Sequence, residues 1–450
     1  MNKNIRYLFL LLALSFFTGC SFGDRTGIWS GGEDEKRRVA ELQKKQKSTI
    51  EIIKIFSSKS EFSKEISVNQ KIILSKPKKN MSWQMSNLNL QNSVRNIYLS
   101  SIENNFLKKK IGKDKFKISK IKSTPLVFNN NIIFTDDTGT IFSINKSGKI
   151  NWKKNIYKKI YKKIYKSLTF SIYKNNIYVA DNIGFVYSVN IGNGKINWIK
   201  NHGIPLKSNV KVFEEKVFVI NQDNRLLSFD SKSGSKIWDV RSITSFIKSQ
   251  NVLGLAISKD GDVIMLSSSG DLLRVNSRKG RMYWSSNTTG TMSVNDSVFF
   301  KSSDLAISGN DIIFSSLSSI FSININNGYL NWKNNMSTNG TPIIDGKYIF
   351  LVTENGYFVC LDKFTGKIIF SQNIIKILKK KKQDTEISGF IMGSGNIYAT
   401  TFNGYLIVCS ASTGKPEYYK KIGDSISASP IISDGSLYVL TEKSRILGFN

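Results

Sequence analysis

Residues 124–155 read TPLVFNNNIIFTDDTGTIFSINKSGKINWKKN. Apolar and β-branched residues alternate in four short runs, around Pro125–Phe128, Ile132–Thr135, Thr140–Asn145 and Ile150–Lys154. Between them stand Asn129-Asn-Asn, Asp137-Thr-Gly and Lys146-Ser-Gly148, each carrying residues that tolerate positive φ or bond their own turn. Four strands joined by three tight turns make one antiparallel sheet.

That unit recurs down the chain. A glycine is followed four residues later by an aromatic at Gly148/Trp152, Gly194/Trp198, Gly234/Trp238, Gly280/Trp284, Gly328/Trp332, Gly366/Phe370 and Gly414/Tyr418. Successive aromatics are 46, 40, 46, 48, 38 and 48 residues apart, the period of a four-stranded propeller blade. An Asn or Asp opens the last turn in six of these repeats (Asn145, Asn190, Asp230, Asn276, Asn324, Asp362). The aromatics are expected to pack between adjacent blades, each burial contributing roughly 2–3 kcal/mol.

The final repeat has three strands and then ends at Asn450. A closed ring removes exposed sheet edges, so the missing strand is expected from the N-terminal side. Phe106 lies 46 residues before Trp152, and Asn105-Phe-Leu-Lys resembles Asn151-Trp-Lys-Lys. Met81-Ser-Trp83-Gln-Met is the rival closing segment. The expectation is an all-β, eight-bladed propeller over 81–450.

Lys3 and Arg6 precede the apolar run Tyr7–Phe17, with small residues and Cys20 after it, the layout of a secretory signal over 1–19. The run is shorter than the roughly 20 residues that span a bilayer. Residues 20–80 read as a tether, with a helix-compatible stretch from Glu33 that favours a solvated stalk over a partner-binding stripe. The 65 Lys plus Arg against 33 Asp plus Glu give a formal +32, but only 11 are Arg, which disfavours arginine-based phosphate recognition. No nucleic-acid partner is expected, since the lysines run as in Lys158–Lys166 and Lys379–Lys382 without a recognisable module. Tyrosine and isoleucine recur every four residues in the first run, a short amphipathic excursion between blades that is compatible with lying on lipid headgroups but reads first as a solvated, lysine-rich insertion.

Cys360 and Cys409 have no metal or haem spacing and fall at equivalent positions of successive repeats, so they are expected as buried free thiols. The lone histidine, His202, sits in Asn201-His-Gly203 and reads as a solvated turn residue, which leaves hydrolytic triad chemistry without a base. No catalytic residue, metal site or cofactor is expected.

The pattern of apolar strand, Asp-Gly or Asn-Asn turn, strand, then N/D-x-x-x-G-K-I-x-W resembles the PQQ-like repeat of quinoprotein-type β-propellers over about 104–450. Phe17-Thr-Gly-Cys20 resembles a lipobox, which implies that Cys20 is diacylated and becomes the mature N-terminus on the periplasmic face of the outer membrane. Together with Trp83-Gln-Met-Ser-Asn87, these features are similar to the BamB family of outer-membrane protein assembly factors. The resemblance implies a non-enzymatic scaffold of the β-barrel assembly machinery. Its implied partners are a BamA-like barrel insertase, other machinery subunits and unfolded outer-membrane proteins. It implies partner contacts at Phe246, Ile247 and Lys248, in the link between the third and fourth blades, and at Asp304 in the next link. The alternatives are a periplasmic PQQ-dependent dehydrogenase, which needs carboxylates to hold Ca²⁺, and another protein-binding propeller lipoprotein.

Overall fold

The computed structural model describes residues 33–53, 62–116, 123–242, 252–288, 301–316, 318–338, 340–382 and 385–450. Eight four-stranded antiparallel sheets follow one another: 126–155, 168–201, 211–241, 255–287, 306–334, 343–373, 387–421, and last 431–449 completed by Asn105–Lys110. They are blades 1 to 8 of an eight-bladed propeller. The first strands of neighbouring blades touch one another (Lys211–Phe213 with Leu168–Tyr173 and with Leu255–Ile257), so first strands ring the axis and fourth strands form the rim.

The middle two strands of each blade are buried almost throughout because they carry apolar residues on both faces, whereas the fourth strands, as at Ile150–Asn155, bury little beyond the aromatic. The hairpins between third and fourth strands are set by chemistry visible in the repeat. Asp230 Oδ1 accepts the N–H of Ser233 at 2.7 Å, and Gly234 takes φ 71°. A Cβ at Gly234 would stand 2.6 Å from the Trp198 ring, so the glycine is also the seat for the preceding blade's aromatic. Trp198 then donates its indole N–H to the Ser231 carbonyl at 2.9 Å. Trp152, Trp238, Trp284 and Trp332 repeat the arrangement on Ile191, Ser277, Ile325 and Lys363, and Phe370 sits against Gly414. Tyr418 lies 43% exposed because blade 8 has no such hairpin to offer it.

Closure comes from Asn105–Lys110, which pairs antiparallel with the last strand, Arg445–Phe449. The register differs by one residue from the sequence alignment. In blade 1 Trp152 pairs with Ser143 and Asn151 is the bulged residue before it. In blade 8 Leu107 pairs with Gly448 and Phe106 is the bulged residue. Leu107 therefore holds the tryptophan position, 3% exposed against Gly148, while the Phe106 ring turns edge-on to Tyr438 at 6.0 Å. A bulge inserts one residue, and the local likeness of Phe106 to Trp152 masked that slip.

Alternation of strand direction fixes the two faces of the disc. Links from a fourth strand to the next first strand emerge on the same face as the turns between second and third strands, here called the link face. The other two sets of turns make the hairpin face.

Candidate functional site: the occupied axis and the link face

The segment 83–100 circles the axis along the free edges of the first strands. Trp83 exchanges two backbone hydrogen bonds with Val127 of blade 1, at 2.7 and 2.9 Å, and Gln84 accepts the N–H of Ile172 in blade 2. Leu90, Gln91 and Val94 accept N–H groups of Ile257, Ile307 and Ile344 in blades 4, 5 and 6. Ile97 bonds Met392 and Ser394 in blade 7, and Ser100 bonds Gly435 in blade 8. Trp83, the rival for closing the ring, is thus the first station of an internal strap, which satisfies edge groups that a wide central channel would leave unpaired.

Blade 3 holds the strap by a side chain. Lys211 is fully buried, and its Nζ donates to the carbonyls of Ser86 and Asn89 at 3.0 and 2.8 Å and to Asn92 Oδ1 at 2.5 Å. Burial pushes its ammonium down to about 8, against the pull of the Asp304 carboxylate. Asn92, itself buried at φ 53°, donates its amide to the Leu255 and Leu305 carbonyls.

Asp304 gathers four donors. Asn87 of the strap and Asn209 before blade 3 donate side-chain amides to Oδ2, both at 2.8 Å. The N–H groups of Leu255 and Leu305, in or just before the first strands of blades 4 and 5, reach Oδ1 at 3.0 and 3.1 Å. Burial raises its carboxyl, and Lys211 and these donors draw it back. The residue expected in a partner contact thus stands at the link-face end of the axis, tying the strap to three blades. Phe246, Ile247 and Lys248 lie outside the described residues, as does Cys20. Lys211 was not singled out in the sequence, and of the strap only Trp83–Asn87 was, as a closing segment and in the resemblance; the crowd of asparagines at 87, 89, 92 and 96 was the available signal for the rest.

His202 is not a solvated turn residue. Its ring stacks on Phe229 with centroids 4.3 Å apart, and burial beside Lys236 and Lys200 pushes it down to about 4. Cys360 and Cys409 are buried free thiols, pushed up by desolvation. Among the described residues, no three His, Cys, Asp or Glu side chains converge as a metal site, and no helix is long and apolar enough to cross a membrane.

The link face between blades 1 and 2 carries a short 3-10 turn, Lys159–Lys163. Tyr161 and Ile164 turn inward, 4% and 0% exposed, so the amphipathic insertion packs its apolar side on the protein. The helix Glu33–Ile53 docks over it. Tyr161 donates its hydroxyl to Glu35, Arg38 pairs with Glu35 at 2.6 Å, and Arg38 also donates to the carbonyls of Ile183 and Gly203. Val39 is buried beneath. The first part of this helix is therefore part of the folded body, and from Phe62 onward the chain is bonded to the blades, as by Ile66 with Ser371.

The sequence profile of the family described as "Outer membrane protein assembly factor BamB" matches residues 174–372, within blades 2 to 6. The chain is 21% identical over 294 residues to the outer membrane protein assembly factor BamB of Moranella endobia, covering 60% of this chain and 71% of that protein. Its fold is similar to the crystal structure of BamB from Moraxella catarrhalis, with a TM-score of 0.61 at 10% identity, covering 77% of this chain and 97% of the other. A quinohemoprotein alcohol dehydrogenase from Comamonas testosteroni shares the fold at a TM-score of 0.57 and 11% identity, covering 82% and 80%.

Proposed function

We propose that this chain, BamB-like in sequence and fold, is a non-enzymatic scaffold of the outer-membrane β-barrel assembly machinery. In this reading it is held to the periplasmic face of the outer membrane by an acylated Cys20. It binds a BamA-like insertase through the link between blades 3 and 4, with Phe246, Ile247 and Lys248 in contact, and so aids insertion of outer-membrane proteins. The observation that carries the reading is the 21% identity to a BamB over 71% of that relative's length. The dehydrogenase alternative fits the residues poorly. Inner strand edges around the axis are bonded to the chain's own strap, and Lys211 and Asp304, the charged pair there, direct their polar atoms to that strap and to backbone groups rather than outward to a quinone or Ca²⁺.

Asp304 enters this reading as the support of the contact rather than its tip. It lies four residues past 289–300, the segment outside the description in the link between blades 4 and 5, and anchors the end of that link to blades 3, 4 and 5. Photo-crosslinkers at positions 246 and 248 in intact cells test the proposal. Capture of the barrel insertase is expected; crosslinks from both positions to other proteins alone would sink the assignment.

A further inference from the structure

We propose that the sector of the link face over blades 1 and 2 lies against an anionic lipid surface, with Lys159, Lys162 and Lys163 reaching its headgroups. The first argument is where the chain enters. The helix that begins at Glu33 is fixed to this sector by Arg38, Glu35 and Tyr161. Twelve residues lie between Cys20 and Glu33, so a fully extended connection spans at most about 45 Å. This step rests on the acylated Cys20 of the proposed function: an anchor there attaches the leaflet to the chain on this side of the disc, at most about 45 Å from the sector.

The second argument is charge. With Tyr161 and Ile164 buried, Lys159, Lys162 and Lys163 are left exposed on the outside of the turn. Exposed Lys115 joins them, donating to the Lys162 carbonyl at 2.8 Å. No Asp or Glu occurs between Asn155 and Ala180, and the acids that the docked helix and the link from blade 8 bring to this sector pair with cations of their own segments, Glu33 with Lys36, Asp34 with Arg37, Glu35 with Arg38 and Asp114 with Lys110. The hairpin face is also rich in lysine, but its charges are mixed with acids. Lys146 pairs with Asp434, Lys174 and Lys232 with Glu215, and Arg278 with Glu214. A turn with only cations in its own sequence is attracted to an anionic leaflet, each lysine contributing about fivefold in affinity. Blades are about 45° apart in an eight-bladed ring, so the link between blades 3 and 4 lies about a quarter turn away and is left free for a protein partner.

The test is lysine acetylation footprinting of the full chain in vesicles. In phosphatidylethanolamine with 30% phosphatidylglycerol, Lys159, Lys162 and Lys163 are expected to react at least fivefold more slowly than in phosphatidylcholine, and 0.5 M salt should abolish the difference. Lys195, Lys279, Lys367 and Lys415 on the hairpin face should react alike in both. Equal reactivity of the two faces in anionic vesicles, or protection of the hairpin face, would overturn the proposal. The mass of the N-terminal peptide separates the two readings. Acylation without protection removes the lipid surface and keeps the anchor; protection without acylation keeps the surface and removes the anchor.

Discussion

Lys211 on the first strand of blade 3 and Asn92 on the strap are joined by a 2.5 Å hydrogen bond, so a cation with no solvent exposure fixes a segment 119 residues upstream. All three ammonium protons have acceptors, which is what makes the burial tolerable.

Replacing it should therefore be costly. Lys211→Met leaves two carbonyls, an amide oxygen and the Asp304 carboxylate without their cation, and the expected loss is about 3–5 kcal/mol in urea unfolding. Limited proteolysis should show the strap becoming cleavable between 83 and 100 before the blades unfold.

Gly366 and Gly346 separate two roles of glycine. Both have positive φ, at 69° and 60°, but a Cβ at Gly366 would lie 2.5 Å from Trp332, while one at Gly346 meets nothing within 4 Å. Gly346→Ala should cost only backbone strain, about 1 kcal/mol. Gly366→Ala must also displace the indole and should cost roughly 2 kcal/mol more, read from paired denaturation curves.

The single histidine gives an isolated pH signal. His202 sits near 4 in the folded protein and near 6.5 when unfolded, so the unfolded chain binds the extra proton between those values. Stability from this group is complete above pH 6.5 and falls as pH drops toward 4, by about 2–3 kcal/mol. His202→Gln should remove that part of the acid-side slope. The lone imidazole NMR resonance should titrate near 4; a midpoint near 6.5 would mean that the ring is solvated.

Arg38→Ala tests the helix docking. Glu35, 5% exposed, would lose its cation, and the carbonyls of Ile183 and Gly203 would lose a donor. The expected effect is local, about 1–3 kcal/mol. It should appear as faster hydrogen exchange over 33–44 with little change in the global unfolding midpoint.

The blades were legible because each repeats a turn that only a few residues can make and an aromatic that only glycine can seat. The eighth was harder. Its outer strand is read from six residues without a hairpin, and Phe106 invited alignment with Trp152 although Leu107 fills that place. The strap was illegible for a different reason. It meets seven blades through a few backbone hydrogen bonds each and blade 3 through the Lys211 side chain, with turns at Asn87, Leu88 and Asn92 in positive φ, and so has no period for a sequence to display. His202 was misread because exposure of an Asn-His-Gly turn depends on Phe229 of the next blade, which local sequence does not contain. The contacts expected at 246–248 fall outside the described residues, and Asp304 alone could be followed into three dimensions.

Asn104 and Asn450 exchange backbone hydrogen bonds at 3.0 and 3.1 Å, so one sheet is built from the two distant parts of the chain. During synthesis, Asn105–Lys110 emerges first and has no partner until Arg445–Phe449 has also been made. Seven sheets can form in order, but the circle is latched only when Arg445–Phe449 meets Asn105–Lys110, against the loop-closure entropy of more than three hundred intervening residues. A chain cut after Ser444 would thus be an open arc with Asn105–Lys110 unpaired, a natural substrate for quality-control proteases rather than a slightly shortened disc.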